Sequence, residues 1–107
     1  MKKVIAAPMP LLLAVSFAAG CSSEPSIDAA VLISNVQFDP QVVSIPVGGT
    51  VEWTFDDSGL LHEVHADGIF DSGVNGDNTF RFTFDEPGDV EYFCSIHPYM
   101  TGTIHVG

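Results

Sequence analysis

Three side chains that could ligate a metal stand three residues apart in one short stretch, Tyr92-Phe93-Cys94-Ser95-Ile96-His97-Pro98-Tyr99-Met100. Cys94 offers a thiolate, His97 an imidazole and Met100 a thioether. All are soft or borderline donors, which favours a transition metal over magnesium or calcium. The spacing suits a single tight loop closing on an ion, with Cys94 at a strand end and Met100 just before the next strand. Two histidines and a cysteine in a trigonal set, with a weak axial methionine, form the blue-copper arrangement. One histidine is therefore missing from the loop, and His62, His65 and His105 are the candidates. His62 is the best placed, because it opens a strand directly after the loop Asp56-Asp57-Ser58-Gly59-Leu60. His65, three residues on, has the opposite parity on a strand and should face the other way as an ordinary surface or edge histidine. His105 lies inside the last strand, away from the loop, and reads as structural.

Competing readings of the same residues are weaker. Cysteine, histidine and methionine can all be plain core residues, but that leaves their regular spacing without a cause. Zinc accepts thiolate and imidazole, but methionine is a poor zinc ligand. A dinuclear copper loop needs a second cysteine, and the obvious place for it after His97 is Pro98.

The elements that would hold these groups are all strands. Val31–Phe38, Val42–Val47, Thr50–Phe55, Leu61–Ala66, Asn78–Phe84, Val90–Cys94 and Thr101–Val106 are apolar or β-branched runs separated by turn signals. Val51, Trp53 and Phe55 alternate, as do Phe80, Phe82 and Phe84, so each triplet lines one face. Gly48-Gly49 permits positive φ between strands. Asn75-Gly76 favours a tight primed turn. Glu86-Pro87-Gly88-Asp89 fits a type II turn. Short, regularly spaced strands indicate an all-β sandwich or barrel. Phe38, Trp53, Phe55, Phe80, Phe82, Phe84 and Phe93 are expected to carry much of the core.

The N-terminus reads differently. Lys2 and Lys3 precede an apolar run from Val4 to Ala19, interrupted by Pro8 and Pro10. That run is short for a membrane span of about 20 residues and fits a signal peptide over residues 1–20. Ala18-Ala19-Gly20-Cys21 resembles the bacterial lipoprotein signal, which implies a lipid on Cys21 and attachment to a membrane. Residues 21–30 read as a tether and 31–107 as the folded domain, in an exported protein of the periplasm or cell surface. Once residues 1–20 are removed, Arg81 alone faces fourteen acids, a net charge of −13. Nucleic-acid binding, which needs cations along the phosphates, is excluded by that balance. The acidity suits either a basic redox partner or a solvated acidic shell. Cys21 sits at the processing site, so Cys94 has no cysteine to pair with and needs another reason to exist in an oxidising compartment.

Taken together, Phe38-Asp39-Pro40, Val47-Gly48-Gly49-Thr50-Val51-Glu52-Trp53, Leu61-His62-Glu63-Val64-His65, Phe84-Asp85-Glu86-Pro87-Gly88 and Tyr92-Phe93-Cys94 stand in an order that resembles the cupredoxins, the amicyanin and plastocyanin branch in particular. The Cys-x-x-His-x-x-Met spacing is similar to the short amicyanin loop, and the acidity and apparent anchor resemble the halocyanins. The resemblance covers residues 31–106. It implies a Greek-key β-sandwich of about seven or eight strands with one type 1 copper ion near one end. It further implies His62, Cys94 and His97 as strong ligands and Met100 as the axial one. Glu63 departs from the family, which often has Asn, Ser or Thr there to fasten the two ligand loops. A carboxylate can still accept a hydrogen bond from Ser95.

Four protein ligands leave no open position for a substrate, which argues against an enzyme. The expected activity is single-electron transfer, Cu(I) to Cu(II) and back, with a copper chaperone or buffer as the alternative. His97, ringed by Leu60, Leu61, Pro98 and Tyr99, should meet redox proteins (a cytochrome, dehydrogenase or oxidase) transiently. Asp56, Asp57 and Glu63 are expected to border that patch. The chain is expected to be a monomer.

Overall fold

In a computed structural model of the chain, residues 26–107 are described. The signal peptide expected over 1–20, the lipid attachment expected at Cys21 and the first part of the expected tether lie outside the described residues. Among the described residues nine strands follow one another: β1 (Ala29–Ser34), β2 (Gln37–Asp39), β3 (Val42–Ile45), β4 (Gly49–Phe55), β5 (His65–Ala66), β6 (Phe70–Asp71), β7 (Thr79–Phe84), β8 (Gly88–Phe93) and β9 (Thr101–Val106). They form two sheets, one of order β2-β1-β4-β7 and one of order β3-β9-β8-β5-β6. Most neighbours are antiparallel, but β1 runs parallel to β4 and β3 parallel to β9. The all-β sandwich is as expected.

Two expected strands are divided. The run from Val31 to Phe38 breaks at Asn35 and Val36, both at positive φ, into the hairpin of β1 and β2. A valine at positive φ is unfavourable by itself, so something outside the hairpin must hold it. The run from Leu61 to Ala66 becomes strand only at its last two residues, with His62 in an isolated bridge to Asn75. Its backbone donors are used elsewhere: Glu63 N–H points at the Cys94 sulfur and Val64 N–H at the Ser72 hydroxyl. Asn75-Gly76 is no primed turn either. A Cβ on Gly76 would stand 2.8 Å from the Gly59 carbonyl oxygen, so the glycine is required by close packing of two loops. The sheet also starts earlier than residue 31. Asp28 exchanges bonds with Thr50 through its backbone N–H and its carboxylate, and Ala29 and Ala30 pair with Val51 and Glu52.

The sheets enclose Val31, Ile33, Val51, Trp53, Phe55, Val64, Tyr92 and Ile104. Val51, Trp53 and Phe55 face inward together, as their alternation requires. Phe93 does not join them. Cys94 faces inward, so parity sends Tyr92 inward and turns Phe93 out against the His65 ring. Tyr92 meets Phe38 and Trp53 edge-on, at 4.7 and 5.4 Å between centroids. Its ring lies over Gly102, its partner across the β8–β9 ladder. Phe70, absent from the expected core, packs against Trp53, Phe82 and Phe84.

Candidate metal centre

At one end of the sandwich, two loops approach each other. The first joins β4 to β5 and carries Asp57 and His62. The second joins β8 to β9 and carries Cys94, His97 and Met100. This second loop is fastened by its own backbone: Cys94 N–H donates to the Met100 carbonyl, and Met100 N–H to the His97 carbonyl. Cys94 is a free, fully buried thiol, and Met100 is buried at the end of the loop.

His62 Nδ1 lies 3.8 Å from the Cys94 sulfur and His97 Nδ1 lies 3.7 Å from it. The donor atoms of all three residues lie within 4.8 Å of one another. Metal–sulfur and metal–nitrogen bonds of about 2.3 and 2.1 Å, as at zinc, span about 3.8 Å when they meet near 120°. The sulfur–nitrogen gaps therefore suit a bridging metal in a trigonal set. His62 is wholly buried, and a buried imidazole needs a partner on its other nitrogen. Asp57 supplies it, with Oδ2 2.8 Å from Nε2. That bond, helped by the backbone N–H groups of Val36 and Asn35, holds the Asp57 carboxyl below its ordinary range. An ionised carboxylate only accepts, so Nε2 carries the proton and Nδ1 turns its lone pair toward Cys94. The donor set and its orientation fit copper.

Asp57 was expected at the surface among acids bordering a patch. It is turned inward and joins three segments: its oxygens accept from Asn35 N–H and Val36 N–H at 3.0 Å each, as well as from His62. These bonds hold the hairpin in which Val36 has positive φ. Nothing in the sequence marks this role beyond an acid five residues before a histidine. Glu63 accepts a hydrogen bond from the Ser95 hydroxyl, fastening the two loops as the resemblance allowed. Its backbone N–H, 3.4 Å from the sulfur, gives the thiolate a donor.

His65 and His105 stay outside this group. His65 faces out between Asp67 and Asp71. His105 pairs with Asp89, its neighbour across the ladder, at 2.6 Å. His97 is half-buried, its ring 4.9 Å from that of His62. Leu60 and Leu61, just before His62, and Ile96 and Tyr99, beside His97 in the loop, stand exposed, the last at 74% with its ring 6.1 Å from that of His97.

A two-sheet sandwich with two imidazoles and one buried thiol converging at its end defines a small β-sandwich metalloprotein. No family model matches the chain. Amicyanin-alpha of Methylorubrum extorquens is 30% identical to it over 93 residues, covering 77% of this chain and 74% of the relative. A purple cupredoxin from Nitrosopumilus maritimus superposes with a TM-score of 0.69 at 30% identity, covering 75% of this chain and all of that one. A copper-containing nitrite reductase from Thermus scotoductus gives a TM-score of 0.70 at 32% identity, over 85% of this chain but only 25% of that enzyme. The chain belongs to the cupredoxins, and it is a copper electron-transfer protein of that family.

Proposed function

We propose that this cupredoxin carries single electrons outside the cytoplasm, with copper held by His62, Cys94, His97 and Met100. The observation that carries the ligand assignment is the triangle of donor atoms that two imidazole nitrogens, at 3.8 and 3.7 Å, make with one buried sulfur. When bound, copper supplies reversible one-electron chemistry between Cu(I) and Cu(II). The residues do the rest. Asp57 locks the His62 tautomer, Glu63 N–H and Ser95 tie the loops together, and the sandwich keeps water from Cys94. Such a framework favours one ligand geometry in both oxidation states, so little reorganisation accompanies transfer.

His97 is the half-buried ligand, and the apolar ring of Leu60, Leu61, Ile96 and Tyr99 around it suits brief docking of a redox partner. Burial of His62 and Cys94 speaks against a chaperone or buffer, which needs an exchangeable site. The signal-like residues 1–20 and Cys21 support export and lipid attachment to a membrane. Addition of Cu(II) is expected to give an intense visible absorption band that Cys94→Ser loses. A colourless complex from the parent chain overturns the assignment. Labelled fatty acid should enter the full-length chain and be lost on Cys21→Ser; equal labelling of both would refute the anchor.

A further inference from the structure

A second group of metal-ligating side chains lies on the outer face of the second sheet. Glu63 and His65 are two residues apart, and Asp71 is the cross-strand partner of His65 in the β5–β6 pair. Residues at i and i+2 project to one face, and the partner opposite joins them there. One ligand atom from each of the three lies within 4.8 Å of the other two. Rotation of the exposed Asp71 carboxylate toward His65 and the half-buried Glu63, which Ser95 holds in place, closes such a span to the edge of a tetrahedron, about 3.4 Å for bonds near 2.1 Å.

His65 is oriented for this. Its Nε2 lies 2.7 Å from Asp67 Oδ1, while Nδ1 faces Asp71 Oδ2 at 3.3 Å. A carboxylate on the far nitrogen of a histidine is the arrangement that fixes metal-ligating imidazoles. In neutral His65, with Nε2–H donating to Asp67, three acceptors converge: Nδ1, the Asp71 carboxylate and the Glu63 carboxylate. Three acids around one histidine also leave an excess of negative charge that a divalent cation neutralises.

We infer that Glu63, His65 and Asp71 form a second metal site, separate from the copper ligands, for a borderline divalent cation such as zinc. One nitrogen and two oxygens suit that class better than calcium, which takes six to eight oxygens. Water completes the coordination. The site lies next to the copper loops, since Glu63 follows His62 and its backbone N–H points at the Cys94 sulfur. Added positive charge there favours the less positive Cu(I), so occupancy raises the reduction potential.

The test uses copper-loaded, reduced protein, in which the first site is filled, titrated with zinc chloride by calorimetry and by NMR of the histidine rings. One zinc per chain is expected, with the His65 ring resonances moving and those of His105 still. His65→Ala and Asp71→Asn should each weaken binding at least tenfold, and His105→Ala should leave it unchanged. In the parent alone, zinc should raise the potential. Failure of copper to load would show first as a missing visible band and would bear only on the copper site. No zinc uptake by loaded protein, or uptake indifferent to His65→Ala and Asp71→Asn, overturns the second site.

Discussion

Gly102→Ala is expected to destabilise the sandwich far more than a single methyl usually does. A Cβ built on Gly102 stands 2.7 Å from Tyr92 Cε1 and closer still to Cζ and the hydroxyl. Ordinary contact begins near 3.4 Å, so the ring must withdraw by at least 0.7 Å. It has nowhere to go. Tyr92 is 1% exposed and backed by Phe38 and Trp53 at 4.7 and 5.4 Å between centroids. Overpacking of a rigid core costs about 1–3 kcal/mol, and the contact with a ring enclosed on its far side puts this case at about 3 kcal/mol. For a domain of this size that lowers Tm by about 12–24 °C. Thermal unfolding of the copper-free protein, followed by near-UV circular dichroism, measures it. Tyr92→Leu removes the atoms that clash, so Tyr92→Leu with Gly102→Ala should be more stable than the sum of the single changes by at least about 1.5 kcal/mol. The ring also sits two residues before Cys94 on the same face, so Gly102→Ala should shift the copper absorption band. A Tm within about 2 °C of the parent, or strictly additive costs, would refute the packing of Tyr92 over Gly102.

Three further outcomes follow from other residues. Asp57→Ala should raise the reduction potential, because a negative charge that favours Cu(II) is lost from His62, and should lower Tm through the β1–β2 hairpin; an unchanged potential in a redox titration would remove Asp57 from the site. Burial pushes the Tyr92 phenol from about 10 to about 12. A folded value above the unfolded one means the stabilisation is whole below pH 10 and is lost as pH rises toward 12, by about 1.4 kcal/mol per pH unit. Denaturant melts across that range should show the decline, and Tyr92→Phe should flatten it. His105→Ala should cost under about 1 kcal/mol, since its pair with Asp89 is exposed, and should leave copper binding intact by absorbance titration.

Strand character, the inward triplet Val51, Trp53 and Phe55, and the loop from Cys94 to Met100 were legible from the residues alone. These depend on period and local spacing, which the chain carries along its length. It also singled out His62 over His65 by parity, and the structure turns the two to opposite sides. What lies across a gap between segments was not legible in the sequence. The Asn35-Val36 hairpin exists because Asp57, more than twenty residues away, accepts its two N–H groups. Phe93 was expected inside, but the inward direction of Cys94 reverses the parity of β8 and gives the core Tyr92 instead. Asp57 read as a surface acid and became the partner of a buried imidazole. Asp71 read as nothing and became the cross-strand neighbour of His65. Alternation records which residues share a face, but bonds and contacts between distant segments depend on register, and register is set only when the sheets close on one core.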